Sequence, residues 1–404
     1  MEGREMQEFD LTIHLAGEQS IPNYMGIRMI KAPRHLLVVT SRTKKQTEIL
    51  KKVLAEFTTD CPEVYDLEMP SAKADEIAIG MAREVEEFKE KHPGARIAFN
   101  VTGGTKMMSL AAFKVAMEKN ATVFYVDTEN KKLNRLKGES FTELELPKVF
   151  SSVKEFVLLS NYELNAEGKL PAEILSDARR RFLHLAWRNL PVMKVVMDDF
   201  ASVNAIGVKS EKRKAKFDAA VKRFAELSSG NVEFCEAWEK FKKELGKYRD
   251  VARFLGGVWI EQWLLARFDE STASRQFIDL RNGVSIRPPI KENGEKTSPL
   301  QEIDLAFTDG YNLYQIECKA PAVTQAYIHK LESNRRGIGG LFGVGLLTSL
   351  EFPENDQKVE ALKERVKDSS LSFIYSEALP DLPQHIFDVK RKSYYTDWNP
   401  KSSD

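Results

Sequence analysis

Cysteine is scarce in this chain. Its three copies, Cys61, Cys235 and Cys318, are odd in number and widely spaced, which excludes a disulfide framework and a zinc-finger pattern. The six histidines stand singly, with no His-x-His or His-Glu-x-x-His pair, and no Ser/His/Asp arrangement is legible. Charge of one sign is not in excess either: 60 Lys and Arg balance 60 Asp and Glu. Nothing global therefore draws the chain to nucleic acid, and any such binding must come from local basic patches and a metal. No apolar run approaches the length of a membrane span and no signal peptide is present, so a soluble, cytoplasmic protein is expected. Internal repeats and low-complexity tracts are missing.

What is present suffices for two or three domains: 404 residues, 42% of them hydrophobic, with five tryptophans for sizeable cores. Residues 10 to 137 alternate strand and helix patterns. Strands are predicted at Leu11–Ala16, His35–Thr40, Val64–Leu67, Arg96–Thr102 and Ala121–Asp127, with helices at Thr43–Phe57, Ala72–Lys91 and Lys106–Asn120. Such alternation predicts a parallel, doubly wound sheet whose ligands bind outside the carboxyl ends of the strands.

The loops on that edge are polar. Gly17-Glu18-Gln19-Ser20-Ile21-Pro22-Asn23 follows the first strand and Thr40-Ser41 the second. Val101-Thr102-Gly103-Gly104-Thr105-Lys106 follows the fourth and opens a helix. Two glycines allow close backbone approach, the helix start offers free N–H groups, and Lys106 adds a charge, a design that suits a phosphate. The loop carries neither the dinucleotide-binding glycine fingerprint nor a Walker A motif. On its own, Gly-Gly-Thr-Lys is equally compatible with an ordinary strand-to-helix turn.

The C-terminal part holds a second pattern. Gln301-Glu302-Ile303-Asp304-Leu305-Ala306-Phe307 and Asn312-Leu313-Tyr314-Gln315-Ile316-Glu317-Cys318-Lys319 flank a turn at Asp309-Gly310, as in a hairpin. A loop at 309–312 sets Asp304 opposite Glu317. Glu317 and Lys319 then share one surface, with Ile316 and Cys318 turned to the core. Unpaired, two facing carboxylates repel each other, and a divalent cation is the usual resolution. Glu261 belongs to an apolar helix, Phe254–Leu265, where a carboxylate is costly unless paired or metal-bound. The residues alone leave the bland readings open: a cross-strand salt bridge at Glu317 and Lys319, and an ion pair of Glu261 with Arg253 or Arg267. Glu302 is either an extra ligand or a partner for Lys319.

Glu261, Asp304 and Glu317-Cys318-Lys319 together resemble the PD-(D/E)xK nuclease superfamily over residues 250 to 350, although Ile303 stands where a proline is common. The resemblance implies a Mn²⁺ or Mg²⁺ site with Glu261, Asp304, Glu317 and the Cys318 backbone carbonyl as ligands and Lys319 acting on the attacking water. Asn100–Met108, with the Glu18–Asn23 loop, resembles CARF domains, Rossmann-fold sensors of cyclic oligoadenylates. This implies a homodimer that holds the ligand through Gln19, Ser20, Asn23, Thr40, Gly103, Gly104, Thr105 and Lys106. Both halves together resemble CARF-fused effector nucleases of type III CRISPR defence, metal-dependent enzymes that cleave RNA or DNA when cyclic tetra-adenylate binds. The α/β architecture so implied is a CARF domain at 1–147, a helical connector at 148–250 and a restriction-endonuclease-like domain at 251–404. Three other readings are a ligand-binding or ring-cleaving sensor with a structural carboxylate cluster, an unregulated endonuclease, and a nicotinamide oxidoreductase that the missing glycine fingerprint disfavours.

Elsewhere, Asp177–Phe200 is predicted helical with a break at Pro191. A basic helix starts near Lys209, and Val323–Arg336 forms a helix with Gln325, Lys330, Arg335 and Arg336, cations suited to a substrate backbone. Short strands are expected at Val344–Thr348 and Leu371–Tyr375, before a polar end at Pro400–Asp404.

Overall fold

The computed structural model describes residues 9–70, 73–127, 130–203, 210–288, 301–319, 324–350, 364–366, 369 and 371–387. Ala72, Lys209, Val323 and the end at Pro400–Asp404, all within sequence expectations, lie outside these residues. The chain is α/β throughout, with two sheets.

The first sheet follows the predicted alternation. Strands β1 (Leu11–Leu15), β2 (Arg34–Val39), β3 (Glu63–Glu68), β4 (Ile97–Asn100) and β5 (Thr122–Asp127) run parallel, in the order β3-β2-β1-β4-β5. Helices α1 (Ile21–Met29), α2 (Lys44–Phe57), α3 (Ala74–Lys91) and α4 (Lys106–Glu118) connect them. An antiparallel hairpin, β6 (Lys132–Lys137) and β7 (Ser140–Glu145), extends the sheet beyond β5. Strand order reverses between β1 and β4, so their following loops face each other at the topological switch point.

Residues 148–250 are mostly helical: α5 (Val153–Leu159), α6 (Pro171–Ile174), α7 (Asp177–Arg188), α8 (Leu190–Val203), α9 (Ser210–Ser228) and α10 (Val232–Leu245). The break at Pro191 is real, because proline fits the first turn of a new helix where its missing N–H costs nothing. The segment also supplies β8 (Glu163–Ala166), an edge strand of the second sheet.

That sheet is ordered β13-β12-β11-β10-β9-β8, with β9 (Ile278–Arg287), β10 (Gln301–Thr308), β11 (Leu313–Lys319), β12 (Gly343–Ser349) and β13 (Ser372–Tyr375). β8 through β11 pair antiparallel, then β12 and β13 add on parallel. Helix α11 (Tyr248–Arg253) and a wide turn, Phe254–Val258, lead into α12 (Trp259–Glu270) on one face. Helix α13 (Gln325–Asn334) runs on through a second wide turn, Arg335–Gly339.

One apolar core unites the two sheets. Tyr24, Phe124, Phe150 and Phe156 from the N-terminal side pack in the same cluster as Ile286, Ile303, Leu313 and Phe342 from the C-terminal side. A second core joins the α7–α12 helices to the opposite face of β10 and β11. The central strands are thus covered on both faces. No helix among the described residues is long and apolar enough to cross a membrane.

Candidate functional site

The β10–β11 ladder pairs Leu305 with Ile316 and Thr308 with Leu313, the register anticipated from the Asp309-Gly310 turn. Asp304 and Glu317 follow as the next pair. Asp304 Oδ2 accepts from the Cys318 backbone N–H at 2.7 Å and from Lys319 Nζ at 3.4 Å. Lys319 Nζ also lies 2.7 Å from Glu317 Oε1 and 4.9 Å from the centre of the Tyr327 ring. Glu317 is only 1% exposed, so it shares burial with Ile316 and Cys318 rather than opening onto a surface as the alternation predicted. The reason is that α13 covers its face of β11. Glu302, by contrast, is exposed, and among the described residues Lys319 pairs with Asp304 and Glu317 instead of it.

Glu261 projects from the first turn of α12, after a kink at Gly257, whose φ of 153° is open to glycine. Arg267 donates to the Pro380 carbonyl and Arg253 is exposed, so neither anticipated ion pair of Glu261 is the one found. The groups that face it are Asp304, Lys319, Glu302 and Asn282. Asn282 Nδ2 in turn donates to the Asp304 carbonyl at 2.9 Å. Burial, and then the Asp304 charge, push the Glu261 carboxyl above its usual range. Burial and Glu317 do the same to Asp304. Burial pulls the Lys319 ammonium down, but Asp304 and Glu317 outweigh it and hold its pKa above the ordinary lysine value. The cluster therefore carries more negative charge than it stabilises, the condition a hard divalent cation relieves. Among the described residues, no three acidic, histidine or cysteine side chains are already gathered as a metal site. The Lys319 ammonium stands between Asp304 and Glu317.

The sensor-like edge is also built from inside. Thr105 caps α4, its hydroxyl accepting from the Met108 N–H at 3.3 Å, and Lys106 is exposed at the first helical position. Gly103 and Gly104 meet the β1 loop so closely that a Cβ on Gly103 would lie 2.1 Å from the Leu15 carbonyl oxygen. Gly104 has φ of 74°. Gly17 stands against Gly104, joining the two loops at the switch point. The expected loop at 17–23 already turns into α1 at Ile21, with Pro22 in its first turn. Ser20 Oγ donates to the Gln46 carbonyl at 3.1 Å, and Asn23 Nδ2 to that of Leu15 at 2.9 Å, while Asn23 Oδ1 is buried without a partner. Thr40 is buried, its N–H bonded to Thr43 Oγ1 at 3.0 Å. Gln19 is exposed and lies against Gly340 of the second domain.

A relay not anticipated from the sequence supports this edge from below. Asn100 Nδ2 donates to His14 Nδ1 at 3.2 Å, and His14 Nε2 faces His35 Nδ1 at 2.9 Å. His35 Nε2 reaches the Ala32 carbonyl at 3.1 Å. Because a carbonyl only accepts, the run is consistent when both imidazoles are neutral. On its other side Asn100 Oδ1 accepts from the Thr102 N–H and hydroxyl at 3.1 and 2.6 Å. Lys330 is the other unanticipated partner: known from the sequence as a helix cation, it bonds Glu317. A buried hydrogen-bond network tying α1 to α5 runs from Tyr24 to Glu155, whose other oxygen accepts from the Ser151 and Ser152 N–H groups at 2.8 and 3.0 Å.

Residues 11–156 match the family model of the Card1 CARF domain, so the chain contains a CARF domain. Among solved structures, protein VC1899 from Vibrio cholerae superposes with a TM-score of 0.70 at 16% identity, over 95% of this chain and 98% of that one. Can2 from Sulfobacillus thermosulfidooxidans, in complex with cyclic tetra-adenylate, gives 0.67 at 18% identity, over 95% and 97%. A type III CRISPR defence DNA nuclease activated by cyclic oligoadenylate gives 0.55 at 17%, over 87% of this chain but 47% of that nuclease. At such identities the likeness is one of fold. No curated protein matches by sequence.

Proposed function

We propose that this protein is a metal-dependent nuclease switched on by a cyclic oligoadenylate, with cyclic tetra-adenylate as the leading activator, and that it acts as a homodimer in type III CRISPR defence in the cytoplasm. The observation that carries the reading is the joining, in one chain and around one shared core, of a CARF edge with a cluster of buried Asp304 and Glu317 and half-buried Glu261 and Lys319. Two fold neighbours, one in complex with cyclic tetra-adenylate and one a DNA nuclease activated by cyclic oligoadenylate, are consistent with it.

Glu261, Asp304, Glu317 and the Cys318 carbonyl would hold Mn²⁺ or Mg²⁺, a fit supported by the hard oxygen donors and by the upward shift of the Glu261 and Asp304 carboxyls through burial and a neighbouring carboxylate. When bound, such an ion activates a water and offsets charge on the phosphate. The chain's own residues do the rest. The Cys318 N–H fixes Asp304, Asn282 steadies the β10 main chain at Asp304, and Lys319 holds a cation where charge develops on a phosphodiester of RNA or DNA.

At the CARF edge, Gly103, Gly104 and the α4 N-terminus would receive phosphate, with Thr105 and Lys106 beside it. Gln19, Ser20, Asn23 and Thr40 would line the adjoining pockets, the unpaired Asn23 Oδ1 being free to take a donor. Met107, Leu110, Phe113 and Met117 form an exposed apolar stripe along α4, which supports burial against a second copy.

A second reading, a sensor whose carboxylate cluster is structural, is favoured by one observation: Glu317 is already neutralised by two lysines. Incubation with Mn²⁺ and labelled RNA, single-stranded DNA or supercoiled plasmid, with and without cyclic tetra-adenylate, separates the two. Cleavage only with activator is expected. Activator binding without cleavage of any substrate would favour the structural cluster.

A further inference from the structure

Glu317 carries more positive charge than an ion pair requires. Lys319 lies 2.7 Å from it along the same strand. Lys330 arrives from α13, its Nζ donating to Oε1 at 2.8 Å and Oε2 at 3.1 Å. Two ammonium groups thus engage one carboxylate that is 1% exposed. Lys330 holds both of its oxygens, the atoms a cation would need.

The helix that carries Lys330 leads to the sensor. Near its start Tyr327 stands over Lys319. At its end the wide turn Arg335–Gly339 runs into Gly340, whose φ is 54°. A Cβ there would come within 2.8 to 3.0 Å of the side-chain amide of Gln19, on the loop after β1. Wide helical turns of this kind are strained departures from α-geometry that recur at functional positions. On the other side, Ser160 Oγ donates to the Ile338 carbonyl, so α5 holds the same turn.

The packing under the turn is incompletely satisfied. Gln315 shares its face of β11 with Glu317 by strand alternation, is fully buried, and lies near Gly339 with neither amide atom hydrogen-bonded. Asn334 Oδ1 and Arg335 Nε, at the junction of helix and turn, are also buried without partners. Unpaired buried groups of this kind are costly, so a shifted α13 that pairs them is favoured once a ligand displaces the turn.

We propose that Lys330 is a latch: a positioning residue that occupies Glu317 while the sensor is empty and is drawn off when ligand at the Gln19 edge displaces Gly340 and with it α13. The inference rests on the nuclease reading above and adds the means of its regulation. Lys330 withdraws as an intact ammonium, so no proton moves and no covalent step is involved.

The test compares wild type, Lys330→Gln and Lys330→Arg, each with and without cyclic tetra-adenylate. Mn²⁺ binding and activator binding are measured by calorimetry, and cleavage on the three substrates above. Without activator, Lys330→Gln is expected to bind Mn²⁺ and to cleave about tenfold better than wild type. By reciprocity of coupling it also binds the activator more tightly, an effect that loss of one local charge at a distant site does not produce. Lys330→Arg keeps the latch and stays close to wild type. If Lys330→Gln behaves like wild type, or loses cleavage in both conditions while still folded, the latch is overturned and in the second case Lys330 is catalytic. If wild type itself neither takes up Mn²⁺ nor cleaves in either condition, the nuclease reading fails instead.

Discussion

Asp304 Oδ2 accepts a hydrogen bond of 2.7 Å from the main-chain N–H of Cys318, so the carboxylate of one hairpin strand is aimed by the backbone of the other. Asp304→Asn keeps an acceptor oxygen and loses the charge. It is expected to fold with little change in thermal midpoint while cleavage falls by at least about a hundredfold. Asp304→Ala strands the buried N–H as well, and should cost about 1–3 kcal/mol of stability in addition. Equal cleavage by Asp304→Asn and wild type would remove Asp304 from the centre.

Lys319 sits between Asp304 and Glu317, and each variant of the trio separates charge from shape. Lys319→Met and Glu317→Gln should both abolish activated cleavage while leaving the affinity for cyclic tetra-adenylate measurable and similar to wild type. Cleavage at the wild-type rate by either would reassign the cluster to a structural role.

The Gly103 position tests the sensor edge. A methyl group 2.1 Å from the Leu15 carbonyl oxygen meets backbone, which cannot turn aside as a side chain would. Gly103→Ala should lower stability by about 1–3 kcal/mol and abolish activator binding in calorimetry. Lys106→Ala, at an exposed position, should weaken that binding without any change in thermal midpoint.

The His14 and His35 pair gives the fold a pH dependence with a defined sign. Burial lowers His14 well below the ordinary imidazole range, with His35 contributing, and burial lowers His35 to about 4. Both are neutral in the fold, whereas an unfolded histidine takes up a proton below about 6.5. Stability is therefore full above pH 6.5 and declines as pH falls toward 4. For His35 alone the loss is on the order of 3 kcal/mol. Thermal unfolding of wild type and His35→Asn across this window should show a shallower decline in the variant. Parallel profiles would mean that the pair does not titrate as described.

Much of this was written locally in the chain. The hairpin register followed from the Asp309-Gly310 turn and strand alternation, and Glu261 from the conflict between a carboxylate and an apolar helix. The parallel strands followed from their alternation with helices. The hairpin of β6 and β7 and the early start of α1 were missed, although Pro22 and Gly138 are suitable signals for a helix start and a turn. The burial of Glu317 and the Lys330 contact were not legible, because both depend on where α13 comes to rest. The same holds for β8, which pairs with a strand more than a hundred residues away, and for Gln19 against Gly340. Sequence patterns report faces and periods; they do not say which distant element will cover a face.

The turn of the β10–β11 hairpin is held by the N-terminal half: Lys131 pairs with Asp309 at 3.0 Å, Val149 and Phe150 donate to the Gly310 carbonyl, and the Tyr311 hydroxyl bonds that of Leu146. Two modules joined by a tether can be exchanged by recombination, each arriving with its surface intact. Here one half's turn is the other half's binding partner, so a graft of either onto a foreign mate would bring an exposed core and a loosened hairpin. Descent should therefore have kept the two together, with substitutions at Asp309 and Lys131 compensating each other across the joint.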